Sequence, residues 1–107
     1  MFTRVVEITT KPGRAREFSR TINDKVIALL KTQPGFLDEM ILISDQRPDR
    51  LLALSFWNSK EDAERYNREG FAKVNDLIRD QIQGIPRVET FDLEQSTVYK
   101  ITAGKAA

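Results

Sequence analysis

Two short runs, Ile41-Leu42-Ile43 and Leu51-Leu52-Ala53-Leu54, constrain this chain more than any other feature. They fall in stretches that read as β-strands, residues 36–44 and 51–57, joined by the polar turn Asp45-Gln46-Arg47-Pro48-Asp49-Arg50 in the pattern of a hairpin. Successive strand residues point to opposite faces, so a sheet wet on one side alternates apolar and polar positions. These two runs do not alternate. They offer apolar side chains to both faces, and both faces need cover. A chain of 107 residues has room for one domain to provide it.

The rest of the pattern covers one face only. Residues 2–10 carry Phe2, Val5, Val6, Ile8 and three Thr, a β-rich run that stops at Lys11-Pro12-Gly13. A helix over about residues 14–32 sets Ala15, Phe18, Ile22, Val26, Leu29 and Leu30 on one stripe and ends at Pro34-Gly35. A second helix opens at Ser59, whose hydroxyl suits an N-cap, with Glu61 and Asp62 in the first turn. Ala63, Tyr66, Val74 and Leu77 share its apolar stripe with Gly70. A mid-helix Gly costs about 1 kcal/mol relative to Ala, which predicts a break into residues 59–68 and 71–82. Gly84-Ile85-Pro86 closes the helical region, and an extended segment over about 87–101, in two pieces, follows. The order is βαββαβ with a β extension. It predicts an α+β, ferredoxin-like antiparallel sheet with two helices on one face. With no third apolar helix available, the second face is expected to meet a second copy, giving a homodimer through sheet faces.

Composition removes whole classes of chemistry. Lys plus Arg number 17 against 16 Asp plus Glu, a net charge of +1 without the concentrated positive field a nucleic-acid binder needs. Arg14, Arg16 and Arg20, interspersed with Glu17, read as a solvated helix face. There is no Cys and no His. Disulfides and thiolate chemistry are therefore absent, as are the commonest general base and the commonest metal ligand; no metal site is expected. The N-terminus lacks the basic and long apolar regions of a signal peptide, and no window nears the roughly 18 apolar residues of a membrane span. The expectation is a cytoplasmic protein with no membrane partner, a single domain over residues 1–102 and a flexible tail over 103–107.

Three pieces of sequence resemble a known family: the first strand closing on Lys11-Pro12-Gly13, Pro34-Gly35-Phe36 leading into the second strand, and Phe56-Trp57-Asn58-Ser59-Lys60-Glu61-Asp62-Ala63 running from third strand into second helix. Together they resemble the antibiotic biosynthesis monooxygenase domain family, of the dimeric α/β-barrel superfamily. The resemblance implies a dimeric α/β barrel, and members that are cofactor-free monooxygenases acting on quinols or polycyclic phenols. Haem-degrading members pair a first-strand Asn and the junction Trp with a haem-ligating His on the second helix. Trp57 matches the Trp, but the His position falls at Asn75 and the first strand has no Asn, so haem degradation of that type is not expected.

A cofactor-free monooxygenase needs an electron-rich substrate, a dry pocket, groups that stabilise an anion and a base. The site is expected between helices and sheet. Trp57 could stack on a flat ring and donate its indole N–H, and Tyr66 offers a phenol. A buried Glu7 could serve as base. Arg4, Asn58, Asn67, Asn75 and Phe71 are the candidate substrate-binding residues. Trp57 and Tyr66 equally suit plain packing, the Asn residues surface or cap positions, and Arg4 with Glu7 a cross-strand pair. The expected function is cofactor-independent monooxygenation of a quinol or other electron-rich aromatic. The alternative is a non-catalytic dimeric ligand-binding or stress-response domain. An RNA-binding reading needs exposed aromatics on the central strands and disappears if the sheet is buried in a dimer.

Overall fold

Strand β1 (Phe2–Thr10) is the centre of the molecule, hydrogen-bonded antiparallel to β3 (Arg50–Trp57) on one side and β4 (Ile82–Asp92) on the other. The computed structural model describes residues 1–103, and places β2 (Phe36–Ile43) outside β3 for a sheet order β2-β3-β1-β4. Two broken helices, α1 (Ala15–Thr21) with α2 (Ile27–Leu30) and α3 (Lys60–Glu69) with α4 (Phe71–Ile78), pack their buried residues against the sheet. This is the ferredoxin-like α+β architecture expected from the sequence. Among the described residues no helix is long and apolar enough to cross a membrane.

Register sorts the side chains onto two faces. In β1, Phe2, Arg4, Val6 and Ile8 are buried, opposite Trp57, Ser55, Ala53 and Leu51 of β3. These positions form one core with Phe18, Ile22, Val26, Leu30, Ala63, Tyr66, Val74 and Ile78 from the helices. The opposite face carries Val5, Glu7, Leu52 and Leu54, extended by Met40 and Leu42 of β2 and Phe91 of β4. Leu42 and Phe91 stay 49% and 45% exposed, so the chain's own helices leave this apolar face largely open. Only its far end is covered. There the segment after β4 folds back, the Tyr99 hydroxyl donating to Asp38 Oδ2 at 2.7 Å beside the Phe56 ring.

Element boundaries depart from the sequence reading in four places. The helix expected as one piece over 14–32 contains a π-helical turn, Ile22–Val26, between α1 and α2. The second helix breaks at Gly70 as expected but stops at Ile78, with a 3₁₀ turn at Arg79–Gln81, short of the expected residue 82. The last strand begins at Ile82 instead of 87, because Gly84-Ile85-Pro86 is a bulge in an edge strand and not a terminator. Pro is tolerated there since an edge position need not donate to a neighbour. Residues 93–101 form no second strand, only an isolated bridge between Ser96 and Ile101. Of the tail expected over 103–107, residues 104–107 lie outside the described residues.

Two turns fix where the helices meet the sheet. Gly35 has φ of +81°, and a Cβ there would overlap the Asp62 side chain; its carbonyl accepts from Asn58 N–H at 2.9 Å. Only Gly meets both demands, so Pro34-Gly35 locks the start of β2 to the start of α3. Ser59 caps α3 as expected, its Oγ accepting from Asp62 N–H at 3.2 Å.

Candidate functional site

Arg4 opposes Ser55, and Ser55 opposes Glu39, so one row across β1, β3 and β2 sets a guanidinium, a hydroxyl and a carboxyl on the helix side of the sheet. A cavity of about 40 Å³ lies over this row. Its polar lining is Arg4, Glu39, Ser55 and Tyr66, and the rest is apolar residues of β1, β3, the helices and the π-helical turn, Phe71 among them. Outside it, between α3 and β4, runs a groove of about 210 Å³ walled by Phe2, Ala63, Glu64, Asn67, Val88 and Thr90. Arg4 is the residue the cavity and the groove share.

Aromatic stacking holds the row's neighbours in place. The Trp57 and Tyr66 rings stack at 4.9 Å between centroids and 25° between planes, and Phe36 meets Trp57 edge-on at 5.5 Å. Trp57 is fully buried and gives its indole N–H to Ser55 Oγ at 2.9 Å. Gly70 is the reason Tyr66 fits. A Cβ at Gly70 would stand 2.8 Å from Tyr66 Cδ1, so the helix break is also a close approach that seats the ring. Arg4 then covers the aromatics, 4.2 Å above the Phe71 centroid and 5.3 Å from that of Tyr66.

The electrostatics separate an acid that titrates near neutrality from a phenol that does not. Burial pushes the Glu39 carboxyl up to about 7, with the adjacent Asp38 charge adding to the shift. The Glu39 side chain makes no hydrogen bond or ion pair among the described residues. Burial raises the Tyr66 phenol to about 12; the Arg4 charge opposes that shift and Glu39 reinforces it. Tyr66 is thus a neutral donor, influenced by Arg4 and Glu39 alike. Burial lowers the Arg4 guanidinium from its ordinary value, against the effect of Tyr66, and an arginine in that position still carries its charge.

The residues singled out in the sequence divide accordingly. Arg4, Tyr66 and Phe71 meet at the cavity, and Asn67 joins them by accepting from Arg4 Nη2 at 3.0 Å. Trp57 stands behind Tyr66, outside the cavity lining, its N–H already given to Ser55. Glu7 is corrected to the open face: it is an odd-numbered β1 residue, ion-paired with Arg50 at 3.2 Å. That hydrogen bond from Arg50 holds its carboxyl below the ordinary carboxylate value, the opposite of what a base here requires. Asn58 is exposed at the turn before α3, and Asn75 on α4 lines neither cavity nor groove. Glu39 is the cavity side chain the sequence reading missed. The available signal was its phase with Ile41 and Ile43, a charge on a strand face otherwise apolar. A bulge between Phe36 and Asp38 hides that signal by bringing Phe36 onto the same face and turning Leu37 out.

A ferredoxin-like domain with a small polar-and-aromatic cavity between sheet and helices is a recurrent architecture, and comparisons with known proteins assign it. The sequence profile of the antibiotic biosynthesis monooxygenase family matches residues 1–74, and the chain belongs to that family. No curated protein matches the sequence. Among solved structures, SnoaB from Streptomyces nogalater, a cofactor-independent oxygenase, is 20% identical with a TM-score of 0.72, covering 90% of this chain and 95% of its own. A monooxygenase from the gene ActVA-Orf6 of Streptomyces coelicolor, in complex with Nanaomycin D, is 15% identical with a TM-score of 0.75 over 89% of this chain and 88% of its own. A conserved protein from Methanosarcina mazei Go1 is 19% identical with a TM-score of 0.67, covering 85% and 91%. At such identities the likeness is one of fold.

The Glu39 environment yields a direct prediction. Its side-chain carboxyl carbon, followed by NMR, should titrate near 7 rather than near the ordinary 4.5. An acid whose value is raised by folding costs stability as pH climbs from its ordinary value to its folded one, and no more above it. Glu39→Gln removes that cost. Between about pH 4.5 and 7 the variant should gain stability relative to the wild type, with a constant difference above. Parallel stability curves through that window would contradict the assignment.

Proposed function

We propose that this is a cytoplasmic monooxygenase that oxidises a quinol or another electron-rich aromatic small molecule with dioxygen, using neither metal nor flavin. One observation carries the reading: a carboxyl titrating near neutrality and a buried cation line one cavity, with the Tyr66 phenol under the influence of both. Family membership supports it, as does the description of SnoaB as a cofactor-independent oxygenase and of the ActVA-Orf6 protein as a monooxygenase.

The division of labour follows from the chemistry of each group. Glu39 takes a proton from the substrate hydroxyl, and a value of about 7 suits that role at neutral pH. Arg4 and the Tyr66 hydroxyl stabilise the oxyanion that results. Phe71 and Tyr66 flank the ring, Trp57 braces Tyr66, and Asn67 orients Arg4. The electron-rich anion then reduces dioxygen. For a quinol the balance closes without any other reductant: one oxygen atom enters the ring, the other leaves as water, and the product is the hydroxylated quinone.

The cavity of about 40 Å³ is smaller than the roughly 150 Å³ that accommodates a benzene ring. Substrate entry therefore widens it, by displacement of Arg4 towards the groove or by parting of α4 from the π-helical turn. Cavity size also favours one other reading, a non-catalytic domain that binds ligand in the groove alone. Oxygen consumption decides between them. A panel of hydroquinones should give protein-dependent uptake that rises with pH through about 7, and Glu39→Gln should lower it by roughly 10²–10⁴-fold and flatten the pH profile. No uptake above the buffer rate across the panel overturns the catalytic reading.

The open sheet face supports a homodimer, two copies meeting sheet to sheet through Met40, Leu42, Leu52, Leu54 and Phe91. Exposed apolar surface of this kind is uncommon on monomers. Sedimentation equilibrium should return about twice the 12.3 kDa chain mass. Leu52→Arg should shift it to the monomer; a wild-type monomer mass would remove the dimer from the account.

A further inference from the structure

A buried guanidinium needs an anion, and Arg4 has none among the described residues. It is 2% exposed, its Nε has no hydrogen-bond partner, and Nη2 donates to a neutral amide, Asn67 Oδ1, at 3.0 Å. The rings of Phe71 and Tyr66 also lie against it, and neither carries a charge to match it. Removing a charge from water costs several kcal/mol unless an opposite charge compensates it. Neither nearby carboxyl does so. Glu64, on the groove wall, reaches Lys60 at 3.9 Å, and Glu39 lies two strands away across Ser55.

We propose that Arg4 is the receptor for the carboxylate of an aromatic acid, which lies in the groove between α3 and β4 with its carboxylate on the Nε–Nη2 edge of the guanidinium. The inference goes beyond the reading above: the groove lacks Glu39, Tyr66 and Phe71, so the acid is a second ligand held across Arg4 from the cavity and not the ring that Glu39 deprotonates. The Nε–Nη2 edge is the one a carboxylate grips with two parallel hydrogen bonds. Asn67, exposed on α3, now occupies one of those two positions with a neutral oxygen and leaves the other empty. A carboxylate that replaces it satisfies Nε and supplies the missing charge in one move. The groove selects the rest of the ligand. Phe2, Ala63 and Val88 form apolar walls suited to a ring, and about 210 Å³ is ample for one. The single cation matches a monoanion, and Glu64 on the wall disfavours a dianion such as phosphate.

Isothermal titration with benzoate and its neutral isostere benzamide tests the proposal without any turnover. Benzoate should bind saturably and at least tenfold more tightly than benzamide, with inorganic phosphate weaker than benzoate. Asn67→Asp sets a permanent carboxylate beside Arg4, so it should raise the melting temperature and abolish benzoate binding. Arg4→Met should reduce benzoate to the benzamide level; if that variant does not fold, the wild-type comparison and Asn67→Asp still decide. Equal affinity for benzoate and benzamide overturns the proposal, as does the absence of saturable benzoate binding. Unchanged benzoate binding or a lowered melting temperature in Asn67→Asp does the same. Benzoate is not an oxidisable quinol, so the two readings fail separately. Tight benzoate binding without hydroquinone oxidation removes the catalytic reading, and oxidation without carboxylate preference removes this one.

Discussion

The pairing of β1 with β3 is the constraint on which everything else in this molecule depends. Eight consecutive pairs, from Phe2 with Trp57 to Thr9 with Arg50, fix which side of the sheet each residue serves. A slip by one residue would exchange the two faces entirely. The register in place sets Arg4 against Ser55, and Ser55 receives the indole N–H of Trp57. Trp57 then presents its face to Tyr66, and Tyr66 narrows the cavity above Arg4. The same register sends Glu7 and Leu52 to the other side, where an ion pair and an apolar patch suit an interface rather than a reaction. The cavity and the open apolar face are therefore separated by one strand's thickness.

The helix face carries polar groups that a purely structural core would avoid. Val6, Ile8 and Leu51 fill one end of it with ordinary aliphatic packing, while Arg4, Ser55 and Glu39 occupy the other. Arg4 with an unpartnered Nε and Glu39 with a carboxyl pushed towards neutrality are both costs to folding. The stack of Phe36, Trp57, Tyr66 and Phe71 offsets them by large aromatic burial, and Gly70 gives up helix propensity so that the stack closes. Arg4 and Glu39 break local rules at the cavity, as residues of a functional site do.

Much of the fold was legible in the chain because its signals are local. Pro34-Gly35 and Ser59 announce a turn and a cap whose geometry depends on two or three neighbouring residues. The non-alternating runs in β2 and β3 announce apolar side chains on both faces of the sheet, which is where the register puts them. What was not legible depended on phase across an irregularity. The bulge at Phe36–Asp38 obscured Glu39, and the bulge at Gly84-Ile85-Pro86 passed for the end of a helical region. Glu7 is the instructive case. Arg4 and Glu7 are three residues apart on one strand, so they face opposite ways, and only one of them could ever have reached the pocket. Gly70 was legible as a break, but the Tyr66 contact that requires it is tertiary and invisible in sequence.

The central claim is that the helix face, at the Arg4–Ser55–Glu39 row, receives the aromatic ligand. Amide chemical-shift mapping during titration with a hydroquinone bearing a carboxylate, under anaerobic conditions, tests it most directly. The account predicts the largest shifts at Arg4, Ser55, Asn67 and Phe71, with Leu42 and Leu52 unmoved. Shifts concentrated at Leu42, Leu52 and Phe91 would put the ligand on the open face and contradict it.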